Sequence, residues 1–202
     1  MFPVVLRFDG RSALVVGGGQ VAARKVDGLL AAGARVTLVS PEIADSIVAQ
    51  ALKTADRLIL MQRRFVANDV DGVWYVVAAT GDPVVQQAVA DECERRQIWC
   101  NAVDDPPRCT ALLPAVHRNG DVIIAVSTSG ASPTLARVLR DRIAAALPAR
   151  LGEVAAILSD RRRQWQAGGA SSEDRDWAPE IDELLAVEIP QCPAFRNGAD
   201  RK

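Results

Sequence analysis

The chain has 202 residues, of which 49% are apolar and 24% are charged, and its formal net charge is −1. This length suits one medium domain, or a domain of about 110 residues with a smaller appendage. The composition is that of a globular protein with enough apolar residues for a core. A charge so close to zero predicts neither a nucleic-acid nor a membrane partner. Any anionic ligand must therefore be held by local cationic side chains or by backbone amides.

Targeting signals and metal-site patterns are not evident in the sequence. Residues 1–6 are apolar, but Arg7 and Asp9 interrupt them too early for a secretory signal, and no apolar run approaches the roughly 18 residues of a membrane span. With His117 as the single histidine, we predict no fixed zinc or other metal site. We expect a cytoplasmic protein with reduced thiols, because its cysteines form no CxxC pair. They are Cys93, Cys100, Cys109 and Cys192.

The first 40 residues predict a compact strand–helix–strand unit. Residues 12–16 (SALVV) form a short apolar run, and apolar residues at helical spacing follow between positions 21 and 30. Gly33 stands where a glycine commonly ends a helix. Residues 35–39 (RVTLV) predict a second strand that ends before Pro41.

The alternation of strands and helices continues to about residue 102. We expect a helix at 43–52, strands at 58–61, 73–79 and 98–102, and a helix that begins at Asp82-Pro83 and ends near residue 96. The run at 73–79 (VWYVVAA) is almost wholly apolar, as a strand buried on both faces of a parallel sheet should be. Alternating elements of this kind imply a doubly wound parallel sheet with right-handed crossovers.

The pattern changes after about residue 110. Strand-like segments at 112–116 and 121–127 flank Asn119-Gly120, a dipeptide favoured in type I′ hairpin turns. Ser132-Pro133 predicts the start of a helix that Pro148 closes. We expect a further helix at 151–166, a flexible linker at 168–172 (GGASS), a short helix at 177–187 and a loose tail from residue 190.

A glycine loop, Gly17-x-Gly19-x-x-Ala22, joins the first strand to the first helix. The first glycine permits a tight turn, the second lets the backbone approach a pyrophosphate, and Ala22 permits close packing. A glycine-rich turn need not bind a ligand, but the flanking strands and the helix N-terminus favour a dinucleotide site. The candidate cofactor-binding residues are Gly17, Gly19, Gln20, Val21, Ala22, Ser40, Pro41, Glu42 and Thr80.

The acidic residue that usually binds the ribose, about 20 residues beyond such a loop, is missing. The second predicted strand ends at Val39-Ser40, and the Ser40 hydroxyl can hydrogen-bond a ribose hydroxyl. No arginine follows this strand to bind a 2′-phosphate, and Glu42 would repel one. The sequence therefore favours NAD over NADP as the cofactor.

Three stretches resemble the siroheme-synthase N-terminal type of precorrin-2 dehydrogenase and sirohydrochlorin ferrochelatase. They are VVGGGQVAARK (15–25), CNAVDDP (100–106) and VIIAVSTSGASPTLARVLRDRI (122–143). The likeness covers about residues 1–150, and the third stretch is the most specific because Rossmann domains in general have nothing like it. This family oxidises precorrin-2 with NAD to sirohydrochlorin, and some members also insert Fe²⁺ to give siroheme.

The resemblance implies a homodimer and a three-part α/β architecture. A Rossmann-type NAD-binding domain with a doubly wound parallel sheet is expected at residues 1–111. A dimerisation segment, made of a β-hairpin and a helix, is expected at 112–147. A small helical C-terminal domain with a loose tail is expected at 148–202.

Asp104 matches the essential acid of the family. It lies just past the predicted strand at 98–102, where the ligands of open α/β sheets bind. Its carboxylate can accept the proton that leaves when a macrocycle loses a hydride and a proton, and it can also guide a divalent cation. Without the resemblance, the segment 104–107 (DDPP) is equally well interpreted as a polar turn.

Cationic and hydroxyl side chains near the motifs are candidates for binding the carboxylates of a tetrapyrrole. Lys25, Arg108, Arg137 and Arg140 accompany the motifs, although each alone is more often a solvated surface charge. Ser127, Thr128 and Ser129 match a serine-rich loop of the family and either bind the substrate or cap the next helix. One serine of this loop can be phosphorylated in some relatives, and the matching residue here is Thr128.

Two other functions are considered. A regulatory NAD-sensing Rossmann module without catalysis is the main alternative, but such modules usually retain the ribose acid and give no reason for Asp104. A different NAD-dependent dehydrogenase usually needs a histidine, lysine or tyrosine in its substrate domain. His117 is the only histidine, and Tyr75 lies in a predicted core strand.

Overall fold

The computed structural model describes residues 1–54, 56–169 and 175–186. It divides into two compact units, of which the first spans Met1–Leu113 and the second begins at Pro114. The predicted linker at 168–172 lies partly outside the described residues, and Cys192 and the predicted tail lie wholly outside them. Across the described ranges, no helix is both long and apolar enough to cross a membrane. The three-part division at 1–111, 112–147 and 148–202 stays a prediction.

A five-stranded parallel sheet forms the centre of the first unit. In chain order its elements are β1 (Ser12–Val16), α1 (Gln20–Ala31), β2 (Arg35–Val39), α2 (Asp45–Lys53), β3 (Leu58–Met61), β4 (Tyr75–Ala78), α3 (Pro83–Arg95) and β5 (Trp99–Ala102). The strand order is β3-β2-β1-β4-β5, which is the order of a Rossmann sheet without a sixth strand. The predicted α/β fold class is confirmed.

Two apolar layers cover the sheet because successive side chains of each strand point to opposite faces. Ala13 and Val15 of β1 pack with α1 and α2, whereas Leu14 and Val16 pack with α3 and β5. Tyr75 is buried in the first layer, as predicted, and its ring meets Phe8 edge-on with 5.7 Å between centroids. The buried sheet holds the strand ends in fixed register.

Local capping sets the ends of the helices in the first unit. Gly33 has φ 85° and follows α1, and its amide donates to the Leu30 carbonyl while the Ala34 amide donates to the Leu29 carbonyl. These two bonds make a Schellman motif, which needs a left-handed residue at this position. At the start of α3, the Asp82 carboxylate accepts from the amides of Val84 and Val85. Both ends were predicted from the sequence.

The second unit contains an antiparallel hairpin and helices. Its elements are β6 (Ala115–Asn119), β7 (Val122–Val126), α4 (Pro133–Ala146), α5 (Leu151–Ala167) and α6 (Ala178–Ala186). The helix boundaries agree with prediction to within one residue, and the predicted end of the last helix at residue 187 lies outside the described residues. At the start of α4, the Ser132 side chain accepts from the Leu135 amide at 3.2 Å.

The predicted hairpin is confirmed, but its predicted first strand and its predicted turn residues are wrong. The first strand lies at Ala115–Asn119 rather than at 112–116, and Asn119 pairs with Val122, so the two turn residues are Gly120 and Asp121. Gly120 has φ 55° and Asp121 does not have a positive φ, which is the type II′ pattern. The Asn119 side chain instead binds the backbone near the start of α5. It donates to the Ala149 carbonyl and accepts from the Gly152 amide.

Candidate functional site

The carboxyl ends of three neighbouring strands bring the predicted cofactor and catalytic segments to one edge of the sheet. Val16 of β1 pairs with Ala78 of β4, and Ala78 pairs with Ala102 of β5. The glycine loop, Thr80 and Asp104 therefore leave the sheet side by side. The strand order reverses between β1 and β4, and ligands of open α/β sheets bind at such a reversal.

The three glycines of the loop have different roles. Gly17 has φ 121°, and a Cβ there would collide with the Ala79 carbonyl. A Cβ at Gly18 would collide with the Glu42 carbonyl, and the Gly18 carbonyl accepts from the Ala44 amide at 2.9 Å. Of these three glycines, only Gly19 has no other atom within 4 Å of the position that a Cβ would occupy. Sequence analysis missed Gly18, although the run of three glycines was the available signal.

The start of α1 is left free to bind an anion. Gly19 is the N-cap residue, no side chain caps the helix, and no acidic residue lies in its first turn. The amides of Gln20, Val21 and Ala22 thus belong to the uncapped first turn, where the helix dipole favours phosphate. Ala22 is completely buried and brings α1 close to the sheet. These residues fit a dinucleotide pyrophosphate.

The end of β2 is bordered by the residues that directly follow it and by residues at the end of β3. The Ser40 amide donates to the Met61 carbonyl at 3.2 Å, and the Gln62 side chain donates to the Pro41 carbonyl at 3.4 Å. Arg63 follows Gln62, so an arginine comes just after β3, the strand that pairs with β2. No arginine directly follows β2 itself, as predicted from the sequence, and Arg63 comes to this region only through the pairing of β3 with β2. Glu42 is exposed at the same edge.

Asp104 follows β5 in an exposed, left-handed conformation with φ 58°. Lys25 of α1 is near enough that the Asp104 charge acts on it. Burial lowers the pKa of the Lys25 ammonium and the charge of Arg24 lowers it further, whereas the negative charge of Asp104 opposes that effect. The structure therefore brings together two predicted site residues, one cationic and one anionic, from distant parts of the chain.

Arg108 and Asp105 hold the loop after β5 in place. Arg108 forms an ion pair with Asp105 and donates to the side chain of Gln87 on α3. Asp105 also accepts from the Gln86 side chain at 3.3 Å. Arg108 was predicted to bind substrate, but its guanidinium is already engaged within the protein. Its substrate contact stays a prediction.

The Cys109 thiol is tied to the same loop. Its Sγ donates to the Ala102 carbonyl at 3.1 Å and to the Asp105 carbonyl at 3.4 Å. Burial raises the pKa of this thiol, so it is a poor nucleophile at neutral pH. Cys93, Cys100 and Cys109 are all free thiols.

In the second unit, the hydroxyls of the serine-rich loop satisfy the backbone before α4. The Thr128 hydroxyl donates to the Ser132 carbonyl at 3.1 Å and accepts from the Ser132 amide at 3.0 Å. The Ser127 hydroxyl accepts from the Ser129 amide at 3.2 Å, and Ser129 has φ 54°. Of the two roles considered for this loop, these contacts show only indirect support of the cap, because Thr128 holds the backbone of Ser132 and the Ser132 side chain itself caps α4. Substrate binding by Ser127, Thr128 and Ser129 stays a prediction.

Arg137 and Arg140, the two cations predicted on α4, differ in their contacts. Arg137 donates to the Thr134 hydroxyl at 3.3 Å. Arg140 pairs with Asp141 and reaches the Val116 carbonyl at 3.5 Å. Among the residues that the structure describes, no group of three or more His, Cys, Asp or Glu side chains is placed to hold a metal ion.

Known proteins resemble this chain along most of its length. A family model for NAD(P)-binding domains matches residues 4–115, and a model for the central part of sirohaem biosynthesis proteins matches residues 119–146. Siroheme synthase 1 of Serratia proteamaculans is 36% identical over 178 residues, covering 81% of this chain and 37% of its own length. Siroheme synthase of Thioalkalivibrio sulfidiphilus is 42% identical over 166 residues, covering 82% of this chain and 34% of its own length.

A solved structure extends the likeness to three dimensions. SirC, precorrin-2 dehydrogenase, superposes with a TM-score of 0.72 at 27% sequence identity, covering 93% of this chain and 88% of its own. The two siroheme synthases named above are longer proteins, and the chain spans little more than a third of the length of each.

Proposed function

The chain belongs to the siroheme-synthase N-terminal-like family, and we propose that it is a precorrin-2 dehydrogenase that oxidises precorrin-2 to sirohydrochlorin with NAD. The observation that supports this most is the likeness to SirC over 93% of the chain. Its first unit is the NAD-binding Rossmann domain of the family. The edge of the sheet supplies a site for the cofactor and an acid beside it.

The proposed reaction removes two hydrogens from the macrocycle, one as a hydride and one as a proton. When bound, NAD would supply the hydride acceptor. The amides of Gln20, Val21 and Ala22 would hold its pyrophosphate, and Gly19 would leave room for that group. Asp104 accepts the proton, because its exposed carboxylate follows the strand next to β4 at the same edge. Lys25 balances the charge of Asp104 and of the acidic substrate.

The Asp104 carboxylate also suits Fe²⁺ as a second substrate, since carboxylate oxygen is a hard ligand that guides a divalent cation. Insertion of Fe²⁺ is therefore included in the proposal as an optional second activity. A cytoplasmic location stays a prediction.

A homodimer is part of the proposal. Leu135, Val138 and Leu139 follow the i, i+3, i+4 spacing of one face of α4, and their exposed fractions are 49%, 42% and 37%. Ile123 of β7 is also 37% exposed. A second copy of the chain would cover such an apolar face symmetrically.

Anaerobic incubation with precorrin-2 and NAD tests the proposal directly. We expect NADH formation together with the absorbance change to sirohydrochlorin, and Fe²⁺ added afterwards reports on chelation separately. A protein that binds NAD tightly but forms no NADH would instead favour the regulatory NAD-sensing module.

A further inference from the structure

The cofactor site lacks the acidic residue that normally selects a ribose 2′-hydroxyl, so its choice between NAD and NADP needs another cause. The only charged residue close after β2 is Glu42, which is exposed. However, Val39 of β2 pairs with Met61 of β3, so the residues after β3 leave the sheet beside Ser40. The segment after β3 therefore belongs to the ribose end of the site.

Arg63 lies in this segment with its side chain 43% exposed, and both terminal nitrogens of its guanidinium have partners. Its two terminal nitrogens donate to the two oxygens of Asp69 at 2.8 and 2.5 Å. The same nitrogens also reach the Arg64 carbonyl at 3.0 Å and the Met61 sulfur at 3.1 Å. A bidentate pair of this kind uses the fork of the arginine that would otherwise bind phosphate.

Asp69 is in turn well fixed. Its side chain is only 6% exposed, and one of its oxygens accepts from the Val66 amide at 2.9 Å. The bond from Arg63 lowers the pKa of this carboxyl, so it is ionised at neutral pH. The pair is therefore neutral overall, and no free cation from Arg63 is offered to a 2′-phosphate.

We propose that the Arg63–Asp69 pair determines the preference of this site for NAD over NADP. Asp69, which follows β3, selects NAD over NADP in place of the acid that usually follows the second strand. It does so by occupying and neutralising the arginine that a 2′-phosphate would need. This inference rests on the proposed NAD site and assigns its specificity to two residues outside the glycine-loop motif.

Titration calorimetry with NAD and NADP, on the full chain and two variants, tests the pair. Asp69→Asn frees the Arg63 charge and should shift the ratio of the two affinities toward NADP by about tenfold, the size of a charged hydrogen bond. Arg63→Met leaves the Asp69 carboxylate uncompensated and should shift the ratio in the opposite direction. Thermal melting shows whether each variant is folded.

Asp160→Asn is the matched control, because it also removes the charge of an acid that pairs with an arginine. It lies on α5, in the second unit, and should leave the ratio unchanged. If the folded variants keep a ratio of NAD affinity to NADP affinity within about twofold of the wild-type ratio, this inference is overturned and the proposed function is not affected. If Asp69→Asn does not fold, the Arg63→Met result decides. A wild-type protein that binds neither dinucleotide would overturn both this inference and the proposed function.

Discussion

Asp104 and Asp105 are neighbours in sequence with different surroundings. Asp104 is exposed and left-handed, whereas Asp105 is bound by Arg108 and Gln86. A carboxylate with its oxygens engaged stabilises a loop, and an accessible one can take a proton. The two residues therefore support a catalytic role for Asp104 as a proposal, whereas the contacts of Asp105 are structural.

Replacing Asp104 with Asn should leave the fold and the NAD affinity intact but lower dehydrogenation by about 10²–10⁴-fold, the usual cost of losing a general base. Asn is chosen because it tolerates the left-handed conformation better than Ala does. The measurement is NADH formation from precorrin-2 at saturating NAD. Turnover within about threefold of wild type would show that Asp104 is not the base.

The control for that experiment is Asp105→Asn. It weakens the contacts of Arg108 and Gln86, so it should lower stability by about 1–3 kcal/mol while affecting the rate much less. Asp104→Asn should thus mainly lower the turnover, whereas Asp105→Asn should mainly lower the melting temperature.

Lys25→Met should weaken the binding of precorrin-2 and change the dependence of stability on pH. Burial lowers the pKa of Lys25 in the folded state from its ordinary value of 10.5, so the unfolded chain binds more protons between the folded pKa and 10.5. Lys25 should therefore make the free energy of unfolding of the wild type rise with pH in that window. The variant lacks that contribution, so we expect it to be at least as stable at neutral pH. Melting temperatures of both proteins across the window, with the KM for precorrin-2, test this. A variant less stable at neutral pH, with an unchanged KM, would contradict it.

At the scale of elements, the glycine loop has close backbone packing at Gly17 and a proposed binding position at Gly19. The motif alone predicts the same result for Asp at Gly17 and at Gly19, namely loss of NAD binding without unfolding, because the backbone should approach the pyrophosphate at both positions. The structure separates the two positions. Gly17 has φ 121° and touches the Ala79 carbonyl, so a side chain there damages the fold itself. Gly19 has φ −87°, which any residue can adopt, and faces open space.

Gly19→Asp should therefore keep the wild-type melting temperature and lose NAD binding, because the added carboxylate occupies the pyrophosphate position and repels it. Gly28→Asp is the matched control, since Gly28 is exposed on the same helix with no atom within 4 Å of a Cβ. Calorimetry on both variants checks the expectation. Wild-type affinity in folded Gly19→Asp would remove the glycine loop from the proposed site.

At the scale of the whole molecule, the apolar face of α4 predicts self-association. Leu135→Glu combined with Val138→Glu should convert a dimer into a monomer, because two charges would be buried in a symmetric contact. Light scattering measures the mass. Leu52→Glu, on an 80% exposed position of α2, is the control and should leave the dimer intact. A wild-type mass near 21.6 kDa at micromolar concentration would refute the dimer.

The sequence by itself determined the order and type of the elements, the fold class, and the family. It did so because the signals are local. A buried parallel strand is a continuous apolar run, and a cap is satisfied within three residues, as at Ser132 and Asp82, or one residue past the helix end, as at Gly33. The glycine loop and Asp104 were found in the same way, because each directly follows a strand.

Only the tertiary structure decided which side chains are engaged and which are available. The hairpin register depends on Asn119, whose partners lie about 30 residues away at the start of α5. Arg108 is occupied by Gln87, and Arg63 comes to the end of β2 only because β3 pairs with that strand. Hydrogen bonds and ion pairs between distant segments leave no periodic pattern in a single sequence. They form when packing places the partners within about 3 Å of each other, and that placement is a property of the folded sheet.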